Sequence, residues 1–424
     1  MVQAAKQTLQ YSPMRLTMSA LSFIVFLIIL ASAISNFLTI ANPHLALFFN
    51  PLNAPARINI LSSNLAQNLN STELARIKQI AVRGIELDPM DARFYSLLGV
   101  INETKKKTES AQLLYLHSLK LLPTEIQALT RRFVYSVNTG KFVQAVSLAD
   151  VILRRWKTQW KLIAPYMSIL LRDKAAYQEA RVRFSKYRIG RERLIDSLSK
   201  DTTSITIARR LIKDWYNQGA DGLRPVINNL TAKLIDYNQY HSAYRLFLLT
   251  LSNAEQEETG YIFNGNFVLQ PTGSLFDWQP IRQAGVSSKF RDLRIESSSG
   301  SIIEKVFELR FLGAPIRFSK ILQNLILPPS QITLKLIYST LDLRTVKPII
   351  LQIECRKNGK ALASLRFGSG SIEKKEVEVT FKVPDTNCTL LQIRIYNGNF
   401  VESWKNRYSG SLFLHKVTMS LGGV

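Results

Sequence analysis

The sequence predicts a multidomain chain with an N-terminal transmembrane helix, an all-α region of helical repeats and a C-terminal all-β jelly-roll sandwich. Three observations predict it. Met18 to Ile40 runs without a charge, the middle keeps a 34-residue beat between prolines, and past residue 260 the apolar spacing turns from helical to alternating. The 424 residues leave room for two to three domains of roughly 100–200 residues each, and 46% apolar content can supply a core to each.

The uncharged run holds 23 residues. As a helix rising ~1.5 Å per residue it covers ~35 Å, enough for a ~30 Å hydrocarbon core. Lys6 and Arg15 precede it without an acid, whereas the first basic residue beyond it is Arg57, past Pro43, Pro51 and Pro55. Positive-inside bias then places residues 1–17 in the cytoplasm, 18–40 in the membrane and the remainder outside, with 41–59 as a linker. A signal peptide cleaved after Ala33 is the competing reading, since Ala31-Ser32-Ala33 has the small-x-small pattern. The apolar run continues through Ile34, Phe37, Leu38 and Ile40, which favours the anchor. Either way the bulk of the chain is exported.

Fifty-five Lys and Arg against 31 Asp and Glu give a net charge of +24. Residues 260–424 alone hold 22 basic and 12 acidic side chains, so the excess is spread along the chain. Diffuse positive charge attracts polyanions of any kind. An exported location leaves out nucleic acid and keeps anionic lipid or acidic polysaccharide.

Leu87-Asp88-Pro89 recurs as Leu121-Leu122-Pro123. Between them Tyr95, Leu98, Gly99, Ala111, Tyr115 and Ser118 alternate large and small as two antiparallel helices require. The beat carries Ala111 to Ala145 with Gly140-Lys141-Phe142 at the turn, and later hairpins are marked by Tyr177, Ala180 and Phe184 and by Tyr240, Ala243 and Phe247. On these residues the stretch 60–255 resembles the tetratricopeptide family. That resemblance implies a surface for protein partners, with the large apolar side chains packing between helices.

Alternation over Ile332–Tyr338 and Glu376–Val383, with further runs at Pro348–Cys355, Leu390–Tyr396 and Ser411–Leu421, predicts eight or nine strands in 260–424. Without helical interludes they form an antiparallel sandwich. The opening FNGNFVLQPTGSLFDW (Phe263 to Trp278) and the later FKVPDTNCTLLQIRI (Phe381 to Ile395) resemble the carbohydrate-binding-module and galactose-binding-like families. The whole chain resembles membrane-anchored tetratricopeptide proteins of Gram-negative bacteria that carry such a sandwich and are associated with exopolysaccharide production. This implies a single-pass inner-membrane protein with a periplasmic bulk and a role in surface polysaccharide production or export. A purely protein-binding scaffold without a glycan site is the alternative.

Cys355 and Cys388 are the only cysteines, and in an exported domain they are a disulfide candidate, with buried free thiols as the alternative. Two thiols without a histidine at ligand spacing argue against a zinc site. His44, His117, His241 and His415 stand apart and no catalytic signature occurs, so the expectation is a non-enzyme; a glycan hydrolase or lyase is the weaker alternative. No cofactor is expected; a structural calcium is the alternative, and Asp277 in the Phe-Asp-Trp element reads as a turn or calcium-adjacent residue before an acid catalyst.

Sugar binding needs an aromatic platform with polar neighbours. Trp404 in the polar stretch 398–408 is the leading candidate, with Tyr396, Phe400 and Tyr408. Lys405 and Arg407 beside it would suit an acidic sugar. Trp278 is also a candidate and reads first as a core element of the fold.

Overall fold

The uncharged run lies within one unbroken helix, α1 (Pro13–Ala41). The structure, a computed structural model, describes residues 13–65, 71–297, 300–318, 321–397 and 407–422. Large apolar side chains from Met18 to Leu30 are 44–64% exposed. Apolar surface all round a helix finds no protein to bury it, so by length and composition α1 can serve as a membrane span or a signal sequence.

The chain divides into two units, Met1–Arg183 and Phe184–Val424. In the first, α2 (Pro43–Phe49) and α3 (Ala54–Leu65) fold back on the end of α1. Asn53 sets that junction: its Oδ1 accepts the Ala56 N–H that opens α3, and its Nδ2 donates to Ser35 Oγ at 2.8 Å and Thr39 Oγ1 at 2.9 Å on α1. Seven further helices follow: α4 (Ser71–Leu87), α5 (Ala92–Thr104), α6 (Thr108–Leu121), α7 (Ile126–Asn138), α8 (Phe142–Arg155), α9 (Trp160–Leu170) and α10 (Lys174–Ser185).

Small residues explain how these helices approach. A Cβ on Gly84 would stand 2.4 Å from the Phe94 ring, and one on Gly99 would stand 2.4 Å from the Tyr115 ring. The ring of Tyr115 is fully buried there, and its hydroxyl donates to Glu103 at 2.7 Å. At the other end of the same pair the Ser118 hydroxyl donates to the Ala92 carbonyl, so α5 and α6 run antiparallel. Gly140, at φ +72°, makes the left-handed turn between α7 and α8.

The second unit opens with α11 (Arg188–Leu198), α12 (Ile205–Asn217), α13 (Arg224–Asp236), α14 (Tyr240–Leu248) and α15 (Asn253–Glu257). The sequence alone groups these helices with the preceding ones in a region ending at 255, whereas here they share a unit with the strands. The cause is an aromatic seam: Phe247 meets Phe263 at 5.1 Å and Phe276 at 5.7 Å, and Tyr244 meets Phe276 at 5.1 Å. Arg224 also forms a two-pronged pair with Glu255, and Asn228 donates to the Thr272 carbonyl.

Ten strands follow among the described residues: β1 (Arg282–Gln283), β2 (Val286–Ser297), β3 (Gly300–Pro315), β4 (Ile321–Leu325), β5 (Gln331–Arg344), β6 (Ile349–Cys355), β7 (Ala361–Arg366), β8 (Gly370–Lys382), β9 (Leu391–Asn397) and β10 (Arg407–Leu421). They form two antiparallel sheets, ordered β1-β2-β3-β10-β5-β8 and β4-β9-β6-β7. Phe307, Leu309, Leu334, Leu336, Leu412 and Leu414 of the first face Leu351, Ile353, Ile393 and Ile395 of the second across one core.

The opening motif closes this core. Asn264 sits in the left-handed region at φ 52° and clasps Leu269 through both its amide atoms, while Gly265 lies so close to β10 that a Cβ would be 2.1 Å from the Val417 carbonyl oxygen. Phe267, Trp278 and Phe307 then gather their rings within 5.6–6.1 Å. Cys355, ending β6, is bonded to Cys388 just before β9, with Cα atoms 5.2 Å apart.

Candidate functional site

In β4, β6 and β9 most of the residues that turn away from the core are polar and bonded to one another. Alternation sends Ile349, Leu351, Ile353 and Cys355 inward and Ile350, Gln352 and Glu354 outward; Leu391, Ile393 and Ile395 go inward and Gln392, Arg394 and Tyr396 outward. The β6–β9 register places Glu354 opposite Gln392, Gln352 opposite Arg394 and Ile350 opposite Tyr396, and β4 adds Asn324 opposite Gln392. Six polar side chains from three adjacent strands therefore share one sheet face.

Four of them form a connected chain, and the other two form a separate pair. The Tyr396 hydroxyl donates to Gln352 Oε1 at 2.6 Å, Gln352 Nε2 to Glu354 Oε2 at 2.7 Å, and Arg394 Nη1 to Glu354 Oε1 at 3.1 Å. Gln392 Nε2 donates to Asn324 Oδ1 at 3.1 Å. Asn324 and Glu354 are 2% and 7% exposed, whereas Arg394, Gln352 and Tyr396 are half-buried. Two buried donors, Asn324 Nδ2 and Arg394 Nε, have no acceptor. Buried polar groups are ordinarily paired, so the face holds donor capacity that the protein itself does not use.

Such a face offers an aromatic ring, a guanidinium, a carboxylate and amides over neighbouring strands spaced ~4.8 Å apart. A pyranose presents hydroxyls at comparable spacing around its edge and C–H groups on its face, which match hydrogen-bonding side chains and a ring respectively.

Of the residues singled out in the sequence and among the described ones, Tyr396 alone stands on this face. Trp404, Phe400 and Lys405 lie outside the described residues. Arg407 opens β10 and is exposed. Tyr408 and Trp278 are corrections: both are 0% exposed. Tyr408 packs on Phe311 and bonds to Lys347 across the sandwich, and Trp278 stacks on Phe307, so neither offers a ring to a ligand. For Asp277 the turn reading holds. Its carboxylate accepts from the Thr272 N–H and hydroxyl and from the Trp278 N–H at 2.7–2.9 Å, which makes it the clasp of a turn and leaves it ill suited to a calcium ion. Among the described residues no group of three or more His, Cys, Asp or Glu is placed to hold a metal.

Gln352, Glu354, Gln392 and Arg394 were missed. Their signal was present as polar residues at every second position of IILQIEC and LQIRIYN, but which strands pair across some forty residues is not written in either run.

No protein-family model matches the chain, and no curated protein matches it. Solved structures similar to it include carbohydrate-binding modules. A family 4 module is 13% identical over 38% of this chain and 99% of its own, with a TM-score of 0.26. A family 61 module in complex with β-1,4-galactotriose is 15% identical over the same shares, with a TM-score of 0.25. The enzymatically active domain of a bacteriophage CBA120 tailspike protein is 13% identical with a TM-score of 0.28, and the chain spans only 21% of its length.

Proposed function

We propose that this protein is a non-catalytic, membrane-anchored scaffold that binds a glycan on the outer face of the β4-β9-β6-β7 sheet and acts in surface polysaccharide production or export. One observation carries the reading: Tyr396, Gln352, Arg394 and Glu354 form a single hydrogen-bonded chain on the accessible part of that face. Their mutual bonds hold each side chain in place before a ligand arrives, which lowers the ordering cost of binding. The ring of Tyr396 supplies the stacking surface. Glu354 is engaged by both Arg394 and Gln352, an arrangement that serves recognition better than proton transfer.

The helices of the first unit, read as tetratricopeptide-like, would present a surface to protein partners, with α1 as the anchor and the bulk of the chain in the periplasm. The test is binding of detergent-solubilised full-length protein to a panel of neutral and acidic polysaccharides, wild type against Tyr396→Ala. Retention that the variant loses without a change in thermal midpoint supports the reading. Equal retention by both, or none by the wild type, overturns it and leaves the protein-binding scaffold.

A further inference from the structure

Helices α12 and α14 enclose a groove of about 520 Å³, well apart in sequence from the sheet face. Its size lies within the ~300–1,000 Å³ usual for ligand sites. Arg209, Arg210 and Lys213 line it from α12 and Arg245 from α14. Positions three and four apart fall on one helix face, so the three cations of α12 line up along the groove. No carboxylate lines it among the described residues.

Arg209, Lys213 and Arg245 bring three like charges to one cleft, where they repel one another unless something neutralises them. Arg209 is half-buried and donates to the Ser242 hydroxyl at 2.6 Å, which bridges the two helices and fixes its guanidinium. Lys213 and Arg245 are exposed and form no ion pair among the described residues. Leu246, 3% exposed, and Leu249 give the cleft an apolar floor. A cationic rim over an apolar floor fits a ring that carries an anionic group at its edge.

We infer that this groove binds a carboxylate-bearing stretch of polysaccharide. The inference rests on the glycan reading above and assigns the acidic groups of that ligand to α12 and α14. Arginine forks take carboxylates two-pronged. The sheet face and the groove are then two separate contacts for one long chain, and linked contacts raise apparent affinity beyond either alone.

The experiment uses full-length protein in detergent with polygalacturonate as probe, neutral dextran as the uncharged comparison and polyglutamate as a polyanion without sugar. The combined variant Arg209→Gln, Lys213→Gln, Arg245→Gln should bind polygalacturonate about tenfold more weakly at low salt, with a flatter salt dependence. Should loss of the Ser242 bond unfold it, Lys213→Gln, Arg245→Gln keeps Arg209 and should still weaken binding severalfold. A folded groove variant with unchanged affinity and salt dependence overturns the inference. If Tyr396→Ala abolishes retention while the groove variants keep it, or if the wild type retains dextran but no polygalacturonate, only the groove assignment falls; if the wild type retains neither, the glycan reading falls with it. Polyglutamate binding as tightly as polygalacturonate, or displacement by millimolar inorganic phosphate, replaces the assigned ligand with an acidic protein or a phosphate and overturns the carboxylated glycan.

Discussion

The guanidinium of Arg394 lies 5.0 Å from the ring centre of Tyr396 and at the same time donates to Glu354 at 3.1 Å. One side chain therefore orients both the aromatic and the carboxylate of the candidate site. A planar, delocalised cation can stack and bond at once, and an ammonium cannot do both as well. Arg394→Lys should keep the charge but release the ring, with a loss of about 0.5–2 kcal/mol of cation–π attraction. Glycan affinity measured by calorimetry should fall severalfold while the melting temperature moves by only a few degrees. An unchanged affinity would show that the pair does not shape the site.

The Cys355–Cys388 bond closes a loop of 33 residues that contains β7 and β8 and ends beside Glu354. Constraining a loop of that length in the unfolded chain stabilises the fold by roughly 3–4 kcal/mol in the chain-entropy account. Cys355→Ala, Cys388→Ala should lower the melting temperature measurably and weaken glycan binding through a looser end of β6. A melt that is the same with and without reductant in the wild type would contradict this.

Much of the architecture was legible because its signals are local. The uncharged run, the large and small alternation that seats Tyr115 on Gly99, and the alternating strands all act within one element or between neighbours. The division between units was not, because it depends on Phe247 meeting Phe263 and Phe276 after the chain has folded back. The site was legible only at Tyr396. Polar residues outward on a strand read as ordinary solvation until β6, β9 and β4 are set side by side, and aromatics such as Trp278 and Tyr408 advertise themselves in sequence whether they stack on sugar or on the core.

Asn53 does two jobs at 5% exposure, opening α3 and gripping Ser35 and Thr39 of α1. Helix-opening side chains are each worth ~0.5–2 kcal/mol, and the hydroxyls it leaves behind would be buried with fewer partners. Asn53→Ala should loosen α1 from α2 and α3, seen as faster hydrogen exchange over residues 34–60 with the later helices unchanged. With α1 kept as an anchor, as proposed above, peptides preceding residue 33 should persist in the membrane fraction. Their loss would favour cleavage.

Gly265 has no room for a methyl group. The Val417 N–H already donates to its carbonyl at 2.9 Å, so the two backbones cannot separate to relieve a contact of 2.1 Å. Gly265→Ala should destabilise the sandwich by about 1–3 kcal/mol or more. Gly260→Ala, whose Cβ would meet only an ordinary 3.5 Å contact, should not. Equal melts for the two variants would show that the motif tolerates a side chain.

Asp277 makes the stability of the sandwich depend on pH in an unusual direction. Burial pushes its carboxyl up from the ordinary 3.8 to about 6, against the opposing pull of the Thr272 and Trp278 donors, with the charge of Glu255 adding to the rise. A raised folded pKa means that the native state binds the proton more tightly than the unfolded chain. The stabilisation is fully present below about pH 4 and is lost as the pH rises through about 6. Two pH units correspond to roughly 3 kcal/mol. Asp277→Asn cannot titrate, so the melting temperature of the wild type minus that of the variant should decline between pH 4.5 and 7.5. The subtraction removes carboxylates that do not interact with Asp277, and Glu255, held down to about 2 by Arg224, stays ionised across that range in both proteins. Parallel profiles across that range would mean that Asp277 stays ionised throughout, its charge carried by the three donors that surround it.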